Sequence, residues 1–138
     1  MLYTTKYNTI WRTCQVELFL LLFIKHAIFD LGLQPMGTGP YKLVYIGKAH
    51  LWHYGPHGLG TMLILALYTP LELAVLLGLL DYVLHWHTDF FKTHIRAFYN
   101  WNNKQRQFWL LNAVDQILHF LGYYLIVQIV LANQLLLG

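Results

Sequence analysis

The chain has 138 residues, of which 57% are hydrophobic, 17% aromatic and only 11% charged, with a net charge of +3. A typical soluble domain carries about 25% charged residues, and a soluble domain this small could not hide so much apolar surface. One cysteine, Cys14, excludes an internal disulfide and a thiolate metal cage, and the basic residues form no cluster of the kind that tracks nucleic acid.

Lys6 and Arg12 precede an apolar stretch from Val16 to Ile24, as in a signal peptide. Lys25-His26 follows at once and no small-residue cleavage site is present, so a retained first membrane helix is expected over about 16–33. Pro35, Gly37, Gly39 and Pro40 end it. A second helix is expected over 49–68, kinked at Pro56, and a third over 71–91, with Thr69-Pro70 as the turn between them. The alternative is one long helix that Pro70 merely kinks, giving three spans. Polar, basic sequence from Lys92 to Gln107 predicts a loop or short interfacial helix holding His94, before a fourth helix over 108–136. The expectation is an all-α integral membrane bundle of about four spans, each needing about 20 residues.

Four histidine–carboxylate pairs are spaced by four residues: His26/Asp30, Asp81/His85, His85/Asp89 and Asp115/His119. That spacing stacks both side chains on one helix face. Their neighbours are Leu, Ile, Phe and Trp, and ionisable groups in such surroundings are functional candidates by default. With a turn at Thr69-Pro70, every pair lands at one face of the membrane, together with His53 and His57. His50 shares a helical face with these two by spacing. Asp81, one turn deeper, is placed to orient His85. Imidazole and carboxylate without thiolate suit a divalent ion, zinc first, manganese or iron as alternatives. The expected metal ligands are His26, Asp30, His53, His57, His85, Asp89, Asp115 and His119. Asp89 and Asp115 are the expected catalytic carboxylates, with Lys25 and Lys92 placed to steady negative charge. Lys92, like Lys25, also reads as a snorkelling anchor. Gln34 and Gln116 could orient a ligand, whereas His87 and His94 read as interfacial and Glu17 and Glu72 as structural.

Four motifs in order carry a family resemblance: Lys25, His26, Asp30 and Gln34; His53, His57 and Gly58; His85, Asp89 and Lys92; Asp115, Gln116 and His119. Over about residues 16–130 the chain resembles the small multipass bacterial and phage membrane proteins grouped as domain-of-unknown-function 3307. More distantly it is similar to membrane-bound metal-dependent hydrolases, which carry H-x-x-x-D on apolar helices. The resemblance implies an integral protein of a bacterial inner membrane, or one encoded by a phage, and by analogy a hydrolase. The extra histidines His50, His87 and His94 and the aromatic loop before the fourth helix depart from the pattern.

The basic loops (Lys42 and Lys48; Lys92, Arg96, Lys104 and Arg106) predict that the site faces the cytoplasm, flanked by an aromatic belt including Tyr45, Trp52, Trp86 and Trp101. The expected partners are the bilayer, a lipid or phosphoester substrate and, as an option, further copies of the chain; nucleic acid is not among them. No phosphate loop, dinucleotide fingerprint, nucleophile elbow or Glu-x-x-His set occurs. The competing function classes are a proton or divalent-cation transporter and a structural membrane protein whose polar pairs only hold the helices together.

Overall fold

Thr69-Pro70 is a true reversal of the chain. In the computed structural model, which describes residues 15–33 and 39–137, helix α2 (Gly55–Leu65) ends before it and α3 (Leu71–Phe98) begins after it. Pro70 takes an extended ψ of 145° as the N-cap of α3, and the Thr69 hydroxyl donates to the Leu65 carbonyl at 3.0 Å, closing the last turn of α2. The first helix, α1, spans 15–26 and continues as a π-helical turn, Ala27–Leu33. A short 3-10 helix (Gly39–Leu43) and a second π turn (His50–Tyr54) lead into α2, and α4 covers Arg106–Leu137. Among the described residues all regular structure is helical. Lys6, Arg12, Cys14, Gln34, Pro35 and Gly37 lie outside the described residues.

Cross-helix contacts fix an up-and-down bundle. His57 meets His85 while Gly58 meets Gly78, so α2 and α3 are antiparallel. His85 meets His119 while Arg96 lies over Phe108, so α3 and α4 are antiparallel. Asp30 approaches Gln116 while Phe23 packs on Phe120, which sets α1 against α4 in the same sense.

Three boundaries differ from the sequence expectation. α3 runs seven residues past Phe91, and His94 is therefore helical. Nothing in 92–98 breaks a helix; the stop comes at Asn100, whose φ of 53° is left-handed. Asn100 N–H donates to Ala97 O and Trp101 N–H to Arg96 O, the paired bonds of a Schellman cap, with Asn in the position glycine usually takes. α2 is also shorter than expected, because the chain before Gly55 is a π turn and the chain after Leu65 is already turning. Pro56 sits in the first turn of α2, where the π turn His50–Tyr54 passes into α-helix.

The bundle has two halves. Leu18, Leu22, Leu65, Ala74, Leu77, Ile126, Val127 and Val130 form a dry core at the α2–α3 turn end, with Tyr123 at its border. Toward the other end the interior is polar, and Lys25, His26, Asp30, Lys42, His53, His57, Asp81, His85, Asp89, Asp115 and His119 are all buried. The outward faces carry the apolar residues instead, among them Leu20, Ile24, Leu63, Leu76, Leu79, Val83, Leu118 and Leu125. Among the described residues one helix, Arg106–Leu135, is long and apolar enough to cross a membrane. α3 has the length, at 28 residues, but Glu72, Asp81, Asp89 and Lys92 interrupt its apolar run.

Candidate metal centre

Two π turns deliver candidate ligand side chains to the polar half. Asp30 lies in one and His53 in the other. A π turn adds a residue to the helical cycle and re-aims the side chains that follow, and such turns recur at functional sites. The re-aiming separates the three histidines expected on one face: His53 and His57 point inward with rings 4.9 Å apart, while His50 turns out to the Tyr82 hydroxyl and the Tyr45 carbonyl.

His53 Nε2 lies 2.9 Å from Asp89 Oδ2, 3.4 Å from Asp30 Oδ1 and 3.2 Å from His85 Nε2. His85 Nε2 lies 3.6 Å from Asp89 Oδ2 and 3.9 Å from Asp30 Oδ1. Four donor atoms, from α1, the π turn before α2, and α3, thus face one point. Zinc bonds of about 2.0–2.1 Å at tetrahedral angles place ligand atoms about 3.3 Å apart. The observed separations, 2.9–3.9 Å, bracket that value. A ring nitrogen carries either a hydrogen or a lone pair, so if His53 Nε2–H donates to Asp89 Oδ2 it cannot also accept from His85 Nε2 at 3.2 Å, and protein contacts alone satisfy this arrangement poorly. The ring of His57 stacks on His85 at 3.6 Å, and neither of its nitrogens has a hydrogen-bond partner. Asp30, His53, His57 and His85 offer ligand atoms that all lie within 4.8 Å of one another.

His119 and Asp115 of α4 extend the cluster. His119 stacks on the far side of His85 at 4.1 Å. Its Nε2 lies 3.5 Å from Asp115 Oδ1 and 3.9 Å from Asp89 Oδ1, and none of these three buried atoms has a hydrogen-bond partner.

A hydrogen-bond chain orients these carboxylates from behind. Tyr123 O–H donates to His26 Nδ1 at 3.1 Å, and His26 Nε2–H donates to Gln116 Oε1 at 3.1 Å. The Gln116 amide then donates to Asp115 Oδ2 at 3.1 Å and to Asp30 Oδ2 at 3.4 Å. Both acids therefore turn their other oxygen, Oδ1, toward the centre. His26 lies close enough to His85 and His119 to form a third ligand group with them. Both of its ring nitrogens are also engaged in the chain, so the expected ligand His26 additionally supports Gln116.

The lysines differ most from expectation. Lys25 points one turn deeper, to Asp81 Oδ2 at 2.7 Å, Thr61 Oγ1 at 2.8 Å and the His57 carbonyl at 3.2 Å. Thr61 also donates to Asp81 Oδ2 at 2.6 Å. Lys25 is thus held away from the centre, and Asp81 serves it and not His85. Lys92, expected as a catalytic cation or anchor, pairs with Asp115 Oδ2 at 2.7 Å and lies 3.3 Å from Asp89 Oδ1. Lys42, read from sequence as a loop charge, is buried and bonds Asp89 Oδ2 from the short 3-10 helix. No spacing rule links Lys42 to the motifs; its place after the Gly39-Pro40 break is its only sequence signal.

His87 and His94 lie on the outer side of α3, each bonded to a backbone carbonyl one turn back, at 2.7 and 2.9 Å. Glu17 and Glu72 are exposed, away from the centre. A groove of about 240 Å³ between α3 and α4 opens outward from the site; Leu84, Phe91, Leu111 and Val114 wall it, and Lys92 and Asp115 lie along it. A larger groove, about 680 Å³ between α1 and α4, borders the apolar half and touches none of these residues. No family model, curated protein or solved structure matches this chain.

Proposed function

We propose that this protein is a membrane-embedded, metal-dependent hydrolase of the kind that the four motifs suggest, acting on a membrane-associated phosphoester or lipid headgroup. The observation that carries the reading is the set of buried atoms without a hydrogen-bond partner around one point: both ring nitrogens of His57, Nδ1 of His85, Oδ1 of Asp89 and of Asp115, and Nε2 of His119. Buried polar groups are almost always hydrogen-bonded. A network that served only to hold helices together would be satisfied within itself, as Lys25, Thr61 and Asp81 are. The donor set is imidazole and carboxylate, which favours zinc, with manganese or iron as alternatives. A bound divalent ion would polarise a phosphoryl or acyl oxygen and lower the pKa of a bound water to about 7.

The remaining groups suit hydrolysis. His57, with neither ring nitrogen hydrogen-bonded, is available as a further neutral imidazole ligand. Lys42 and Lys92 approach Asp89 from its two oxygens and would meet the negative charge of a phosphoester. The α3–α4 groove, apolar in its walls and charged along its inner edge, would admit a substrate from the lipid side. The apolar outer faces and polar interior support a bundle set in the bilayer, where every outward charge is penalised. The loops carrying Lys48 and Lys104 then face the cytoplasm.

Transport fits less well. The polar groups stop at Lys25 and Asp81, and the half of the bundle beyond them is closed by the Leu22, Leu65, Leu77 and Ile126 core. The test is hydrolysis of bis(p-nitrophenyl) phosphate and of phospholipid vesicles by protein purified with zinc or manganese. Turnover that a chelator removes and metal restores, and that His85→Ala and Asp30→Asn abolish, is expected. Protein that takes up no divalent ion, or loaded protein that cleaves neither class, overturns the reading.

A further inference from the structure

We infer that the centre is dinuclear, with Asp89 as the bridging carboxylate between two divalent ions. The inference rests on the metal-dependent reading above and specifies its site.

The two oxygens of Asp89 face two different ligand sets. Oδ2 faces His53 and His85 at 2.9 and 3.6 Å, together with Asp30 across the same point. Oδ1 faces His119 at 3.9 Å, in the group that Asp115 completes. Asp89 is fully buried, so neither oxygen is satisfied by solvent. In the second set Asp89 Oδ1, Asp115 Oδ1 and His119 Nε2 are all buried and none is hydrogen-bonded, although the Lys92 ammonium lies 3.3 Å from Asp89 Oδ1. They come from two helices, which argues against an accident of spacing along one helix.

The orienting chain has the same twofold logic. One amide, that of Gln116, holds the outer oxygens of both Asp30 and Asp115, and so presents one carboxylate oxygen to each ion. Both imidazole rings stacked on His85 then belong to different sets, His57 to the first and His119 to the second. The substrate class follows from charge. Asp30, Asp89 and Asp115 are formally opposed by Lys42 and Lys92. Two divalent ions would leave the centre strongly positive, a surplus that hydroxide and an anionic phosphoester offset. Paired metals are suited to clamping the attacking and leaving oxygens of such an ester.

The experiment is a metal count on the full chain in lipid nanodiscs, loaded with manganese and passed over chelating resin, with electron paramagnetic resonance on the same samples. Two ions per chain with an exchange-coupled signal are expected. His119→Ala and Asp115→Asn, checked for an unchanged elution volume, are expected to hold one ion with an uncoupled signal. The wild-type spectrum tests coupling even where a variant fails to fold. One ion per chain in the wild type overturns the dinuclear inference and leaves the metal-dependent reading standing. Two ions retained in both variants place the second ion elsewhere and also overturn it. No bound ion overturns both.

Discussion

Gly58 and Gly78 bring the backbones of α2 and α3 into direct contact: a Cβ built on either would lie 2.8 Å from the carbonyl oxygen of the other. Backbone cannot yield as a side-chain tip can, so Gly58→Ala or Gly78→Ala has to push the helices apart. Overpacking of this kind costs about 1–3 kcal/mol. Because His57 adjoins Gly58 and its ring stacks on His85 of α3, the same shift loosens the centre. Thermal unfolding in detergent is expected to show a lower midpoint for either variant, together with weaker metal retention.

Lys25 and Asp81 make the second prediction. Both are buried, and their 2.7 Å pair is completed by Thr61. Removing one partner strands a buried charge and typically costs about 3–5 kcal/mol, whereas replacing both by apolar residues is often close to neutral. Lys25→Met and Asp81→Leu should each destabilise strongly, and the double variant should recover most of the loss. A double variant as unstable as the sum of the two singles would show that the residues act independently.

The helix-by-helix pairing was legible because a spacing of four states which side chains share a face. His26, Asp30, His85, Asp89, Asp115 and His119 are brought together as the motifs suggest, and the turn at Thr69-Pro70 gathers the ends of the helices. What one helix's spacing cannot state is rotation against its neighbours. Asp81 has the same offset from His85 as Asp89 does, yet it turns to Lys25 and Thr61. The π turns were equally hidden, since no residue type marks them here, and they decide that His53 enters the centre while His50 leaves it. Lys42 comes from a segment without apolar periodicity, so nothing local announced its burial beside Asp89.

Gln116 separates orientation from ligation. It touches the centre only through the outer oxygens of Asp115 and Asp30. Groups of that kind typically change metal affinity about 10–100-fold when removed. Gln116→Leu should weaken metal binding by that order without changing the number of ions held at saturation. His50→Phe, on a histidine bonded to Tyr82 and the Tyr45 carbonyl, should leave affinity unchanged. Equilibrium titration with a competing chelator measures both, and equal losses would place His50 in the centre.

Metal should also act as a folding ligand. The centre draws donors from α1, the turn before α2, α3 and α4, so an ion bound there ties the whole polar half together. An ion that binds only the folded chain stabilises it by about 2.7 kcal/mol at one hundred times its dissociation constant. Chelation is expected to lower the unfolding midpoint of the wild type and to leave that of His85→Ala nearly unmoved. Equal responses in the two proteins would mean that the ion binds outside the centre.

In the proposed membrane reading, Lys48 and Lys104 report how the bundle is placed. Both are exposed, one in the connection between α1 and α2 and the other in the connection between α3 and α4. Antiparallel packing of the four helices brings these two connections to the same end as the His/Asp centre. In the membrane reading they share the cytoplasmic face, where cationic loops are retained. Cysteines placed at these positions, in a Cys14→Ser background, should both be labelled by an impermeant thiol reagent in inverted vesicles. Neither should react in intact cells. Lys104 remains accessible in either arrangement of the first helices, so Lys48 is the discriminating site. Labelling of Lys48→Cys from the opposite side would put the ends of α1 and α3 on different faces, and the four-helix centre could not lie within one bilayer-embedded bundle.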